Sequence, residues 1–134
     1  MVAITIVYEG DLHCEATHGP SATRLTTDAP LDNGGRAESF SPTDLVATAL
    51  GTCMLTVMGL KAQSLEVDIA GTTATIEKEM ASAPRRIGRL IATVRIPHDL
   101  PADVREQLER AAMTCPVYQS LSEKIDKQID FAWG

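Results

Sequence analysis

The chain has 134 residues, 44% hydrophobic but only 4% aromatic, and its 18 acidic side chains outnumber its 12 basic ones for a net charge of −6. That length predicts one domain able to bury a core of its own. An acidic chain whose only basic grouping is Arg85-Arg86 with Arg89, a solvated strand end, excludes nucleic acid and anionic membranes from the expected partners.

The N-terminus opens directly into strand-like sequence, with neither a basic n-region nor a cleavage site. Residues 2–9 place Val2, Ile4, Ile6 and Tyr8 on one side and Thr5 and Glu9 on the other, the period-2 pattern of a strand. Gly10-Asp11 signals a turn, and Leu12 to His18 runs back as the second arm of a hairpin. After the break at Gly19-Pro20-Ser21, Ala22 to Thr27 reads as a short third strand. Ala29 to Phe40 is loop, with turn chemistry at Asp32-Asn33-Gly34-Gly35 followed by the charged Arg36 and Glu38.

Ser41 then reads as a helix N-cap and Pro42 as the first helical residue, where a missing N–H costs nothing. Asp44 suits the positive end of the helix dipole. No further charge appears until Lys61, and apolar or small residues lie on every side, so the helix is expected to be buried. It has about the length of a bilayer span, but threonines and two glycines interrupt it, and a core helix in a dimer is the expected setting.

Leu65, Val67 and Ile69 alternate with Glu66 and Asp68 and predict a strand that resumes, after a bulge at Gly71, through Ala74 and Ile76. Ala83-Pro84 marks a turn. Leu90, Ala92, Val94 and Ile96 form a clear amphipathic strand that Pro97 ends. Pro101 begins a second helix with Val104, Leu108, Ala111 and Ala112 as its apolar stripe. Cys115-Pro116 interrupts it, and Val117, Leu121 and Ile125 space out a third helix. Lys127 to Trp133 closes the chain as a strand. The order of elements is an α+β pattern.

Three cysteines, an odd number without secretory signals, point to a reducing, cytoplasmic setting. Cys115 sits at the N-cap of the third helix, where free N–H groups favour a thiolate. On position alone it reads equally as a reactive thiol or as a small buried residue at a helix junction. Cys53, near the middle of the long helix, has apolar surroundings that would raise its pKa, and composition alone makes it core filler. A reactive Cys53 requires a cation or donor from elsewhere, with Arg36 the nearest candidate in sequence. Cys14 reads as a bystander. Cys14 and His18 are four strand residues apart, roughly 13 Å, too far for one metal ion. His98 is isolated. Neither a metal-ligand spacing nor a nucleotide loop is present, so no cofactor is expected.

Residues 41–54, Ser-Pro-Thr-Asp-Leu-Val-Ala-Thr-Ala-Leu-Gly-Thr-Cys-Met, followed some sixty residues later by Cys115-Pro116-Val117-Tyr118-Gln119-Ser120-Leu121, resemble the OsmC/Ohr family of osmotically inducible and organic hydroperoxide resistance proteins. The resemblance extends over nearly the whole chain, including the opening Tyr8-Glu9-Gly10 hairpin. It implies an intertwined homodimer in which antiparallel sheet wraps around long buried central helices, with active sites at the dimer interface. It implies that Cys53 attacks a peroxide to become a sulfenic acid. Cys115 then resolves this as a disulfide, and an external dithiol reduces it.

Two positions depart from the family pattern. Thr43 stands where the peroxidases carry a glutamate, and His13 falls about where they carry a thiolate-stabilising arginine. Arg36 and Glu38 are the candidates to supply the missing pair. The expected function is a thiol-dependent peroxidase for organic hydroperoxides. The alternatives are a dimeric protein that binds a small apolar ligand or senses redox state without turnover, and a pair of cysteines that only packs a core.

Overall fold

The computed structural model describes all 134 residues, which fall into two compact units, Met1–Val46 and Ala47–Gly134. The first unit is a three-stranded antiparallel sheet in the order β1 (Ile4–Gly10), β2 (His13–His18), β3 (Arg24–Asp28). Gly10 pairs with His13 across a two-residue turn in which Asp11 and Leu12 both have positive φ, the primed geometry that suits a tight hairpin. The loop after β3 holds a short 3-10 turn at Leu31–Asn33. Gly35 packs so close to Ala29 that an added Cβ would lie 1.8 Å from its carbonyl oxygen, so only glycine lets the loop fold back there.

The long helix α1 covers Pro42–Ser64. Its start is held by a reciprocal box: the Ser41 N–H donates to Asp44 Oδ2 at 2.9 Å, and the Asp44 N–H donates to Ser41 Oγ at 3.1 Å. The sequence reading of this cap, this proline and this helix is confirmed. Ala47, Leu50, Gly51, Met54, Met58 and Ala62 form one buried stripe, while Thr52, Thr56 and Leu60 are exposed within the chain. Thr52 and Thr56 return their hydroxyls to the backbone carbonyls of Thr48 and Thr52, which satisfies them on an otherwise apolar face.

The second unit pairs β4 (Thr73–Ala81), β5 (Arg86–Ile96) and β6 (Asp126–Trp133) in that order. Leu90, Ala92, Val94 and Ile96 of β5 are buried and stand opposite Ile129, Phe131 and Trp133 of β6 from Ala92 onward. The fold class is the expected α+β, with two sheets. One pairing departs from the antiparallel expectation, for β6 runs parallel to β5. The chain between them is long enough for that crossover because it carries α2 (Ala102–Ala112) and α3 (Pro116–Ser120). The alternation at Leu65–Ile69 does not make a strand. Those residues follow the end of α1 as a turn with Glu66 at φ 56°, and β4 begins only at Thr73. The third helix is likewise shorter than predicted, ending before Leu121.

Gly51 fixes how closely α1 meets the sheet. A Cβ there would come within 3.2 Å of Ile76 and 3.7 Å of Ala74, so the missing side chain lets the helix backbone approach β4. Two residues later on that helix comes Cys53.

Candidate active site

Cys53 lies at the border of the buried stripe of α1 and is partly exposed, whereas Cys115 is fully buried. The junction between α2 and α3 places Cys115. Gln119 Nε2 donates to the Met113 carbonyl at 3.0 Å, and the Gln119 N–H donates to the Cys115 carbonyl at 3.1 Å. The Lys127 ammonium, 5.3 Å from the Tyr118 ring centroid, ties α3 to β6 and also donates to the Ser122 and Ile125 carbonyls. These contacts fix the junction that carries Cys115, whose thiol hydrogen-bonds to Cys53.

The expectation that the N-cap position favours a Cys115 thiolate is overturned. The Tyr118 N–H does donate to Cys115 Sγ at 3.3 Å, and that bond with a further one from Val117 pulls the pKa down. Burial outweighs them: loss of solvent, and then the hydrogen bond to Cys53, push the Cys115 thiol above its ordinary value. A five-residue helix has too few aligned peptides to reverse that. Cys115 therefore holds its proton more firmly than an ordinary thiol does.

The supporting candidates are placed as follows. His13 donates through Nδ1 to the carboxylate of Asp28 at 2.7 Å, and its Nε2 lies 3.5 Å from Glu9 Oε1. Asp28 is 1% exposed, and its second oxygen has no hydrogen-bond partner. Thr43 sits in the first turn of α1, 3.2 Å from the Ser41 hydroxyl, and belongs to the helix cap. Arg36 and Glu38 are exposed in the loop. Cys14 faces Tyr8 and Thr27 across its strand neighbours. His98 is not isolated, for its Nε2 bonds the Ala70 carbonyl at 2.7 Å.

Sequence reasoning missed Asp28. The signal was the register: His13 and Asp28 are directly opposed on β2 and β3, a pairing that appears once the third strand is extended by one residue and aligned.

The family model described as OsmC-like protein matches residues 34–130. The chain belongs to the OsmC-like family.

A crystal structure from Psychrobacter arcticus 273-4, of a candidate osmotic stress induced and detoxification response protein, is 41% identical. It superposes with a TM-score of 0.93 over 98% of this chain and 96% of that one. An OsmC organic hydroperoxide resistance protein from Legionella pneumophila shares the fold at 12% identity, with a TM-score of 0.79 over 98% of this chain and 96% of that chain. An OsmC-like protein from Mycoplasma pneumoniae does so at 16% identity, with a TM-score of 0.83 over 99% and 96%. No curated protein matches the sequence.

Proposed function

We propose that this OsmC-like protein is a thiol-dependent peroxidase for organic hydroperoxides, with Cys53 as the nucleophile and Cys115 as the resolving thiol. The observation that carries the reading is the hydrogen bond between the two thiols, one partly exposed and the other buried. The Cys53 thiolate attacks the terminal oxygen of the peroxide. A sulfur–oxygen bond forms, the oxygen–oxygen bond breaks, and the alkoxide leaves as the alcohol after taking a proton. Cys115 then attacks the sulfur of the sulfenic acid, a disulfide forms, and the hydroxyl leaves as water with the Cys115 proton. An external dithiol, the expected reductant, returns both thiols and leaves as its own disulfide. The two cysteines need Cα atoms within about 7 Å of each other for that bond.

The apolar flank of Cys53, with Val57 and the 61% exposed Leu60 on the same helix, suits a lipophilic peroxide. His13, paired with Asp28, and Arg36, Glu38 and Thr43 are the supporting candidates that the sequence offers. A homodimer completes the proposal, since Ile4, Ile6 and Tyr8 are 56%, 60% and 63% exposed on one face of β1. A non-catalytic binding or sensing role is the second reading. It is favoured by the two positions that depart from the peroxidase pattern, Thr43 and His13, the latter paired with Asp28 and Glu9.

Steady-state turnover with a dithiol reductant tests the choice. The peroxidase reading expects cumene hydroperoxide to be consumed at least tenfold faster than hydrogen peroxide, and no consumption by Cys53→Ser. Absence of turnover with either peroxide favours the binding protein.

A further inference from the structure

The stretch Cys115-Pro116-Val117-Tyr118-Gln119 ends one helix and starts another, and the hydrogen bonds are redistributed around the break. Pro116 has no N–H, and the Cys115 backbone leaves the helical region at ψ 131°, so the ladder of α2 stops there. In an unbroken helix the Met113 carbonyl would accept the N–H of Val117, and the Thr114 carbonyl that of Tyr118. Here both N–H groups are turned onto Cys115 Sγ, the Tyr118 nitrogen at 3.3 Å.

The exchange frees the Met113 carbonyl at the end of α2, and such a carbonyl needs another donor. Gln119 supplies it. Its Nε2 reaches back six residues to Met113 at 3.0 Å, while its own N–H donates to the Cys115 carbonyl at 3.1 Å. One residue is thus tied to both sides of the break. Gln119 is exposed, so its side chain fills no part of the core, and what it adds at this junction is the amide.

The two N–H groups matter because Cys115 must develop negative charge. As its sulfur attacks the sulfenic sulfur of Cys53, a sulfur–sulfur bond forms and the sulfur–oxygen bond breaks. The Cys115 proton leaves with the hydroxyl as water. A buried sulfur has no solvent to stabilise the thiolate character of that step, and backbone donors aimed at it offset the loss. They do so only while the first turn of α3 keeps its aim. A helix of five residues is too short to hold that turn by itself.

We propose that Gln119 is a positioning residue for the resolving thiol: by occupying the Met113 carbonyl it keeps the Val117 and Tyr118 N–H groups on Cys115 Sγ. This role rests on the peroxidase reading only for the step in which the thiol is used.

Gln119→Met, which keeps the length of the side chain and removes the amide, tests it in the full-length protein. The first measurement needs no peroxide. Iodoacetamide labelling of Cys115 in the reduced protein is followed by peptide mass analysis between about pH 7 and 10. Weakened donors predict a profile displaced to higher pH, with labelling about fivefold slower near pH 8, while Cys14 labels as before. A variant that merely loosened α3 would expose the thiol, and Cys115 would then label faster and at lower pH. That result, or an unchanged profile, overturns the role of Gln119. The second measurement follows the Cys53 sulfenic acid, trapped with dimedone, through a single turnover with cumene hydroperoxide. Sulfenic acid that forms at the wild-type rate and closes to the disulfide about fivefold more slowly supports the role. Equal closure rates in the two proteins overturn it. A displaced labelling profile in a protein that no peroxide oxidises retains Gln119 as the residue that holds the sulfur's donors and removes the peroxidase reading.

Discussion

Cys115 is hydrogen-bonded to Cys53, and its burial, followed by that bond, raises its pKa above the ordinary thiol value. This asymmetry divides the labour between two chemically identical groups. The exposed partner is open to a small molecule, and the buried partner is held in reserve until the sulfenic acid forms. The first prediction follows from the direction of the Cys115 shift. Alkylation of the reduced protein by iodoacetamide, followed by peptide mass analysis, should label Cys53 before Cys115. The pH midpoint for Cys115 should lie above the ordinary thiol value of about 8.5. A Cys115 midpoint below that value contradicts the account.

The same shift predicts a loss of stability in alkali. A thiol whose pKa is raised in the folded state holds its proton where the unfolded thiol has lost it. The native state then binds more protons, and stability falls as pH rises. The contribution is complete below about 8.5 and is lost as pH climbs toward the folded value. Thermal melts from pH 7 to 10 should therefore show a steeper alkaline decline for the reduced wild type than for Cys115→Ala. Parallel curves would show that the shift carries no free energy.

Removing His13 strands the Asp28 carboxylate, which is 1% exposed and already has one oxygen without a partner. His13→Ala should cost about 1–3 kcal/mol in urea denaturation, the desolvation penalty of a buried acceptor that loses its donor. His13→Ala combined with Asp28→Ala should recover part of it, since no charge is then left buried. A single variant within about 0.5 kcal/mol of wild type would show that the pair is not structural.

Gly51 sets the helix-to-sheet distance beside the cysteine. Gly51→Val should destabilise by about 1–3 kcal/mol, because the added branches meet Ile76 where a Cβ alone would lie at 3.2 Å. Gly51→Ala should be much milder. The Ile76 side chain can move a few tenths of an ångström, and alanine regains about 1 kcal/mol of helix propensity. Equal melting temperatures for Gly51→Val and wild type would show that the contact is loose.

Much of this architecture was readable because local chemistry and tertiary setting agree. The Ser41–Pro42–Asp44 start of α1, the amphipathic pattern of β5 and the Cys115-Pro116 break all carry their own structural signal. The misses have physical causes. Leu65, Val67 and Ile69 alternate like a strand, yet the chain is still turning out of α1, where Glu66 adopts a left-handed conformation. The parallel pairing of β6 with β5 depends on a crossover, and alternation within a strand says nothing of its direction. The His13–Asp28 bond needed the register of two strands, and the raised Cys115 pKa needed its burial. An N-cap position is visible in sequence, but the desolvation that outweighs it is not.

The most direct test of the central claim is single-turnover oxidation of the reduced protein by cumene hydroperoxide, with thiol counting and peptide mapping of the product. The account predicts rapid loss of two thiols per chain and a Cys53–Cys115 disulfide. In Cys115→Ser it predicts instead a Cys53 sulfenic acid that dimedone traps. Slow oxidation, or a disulfide that includes Cys14, would contradict it.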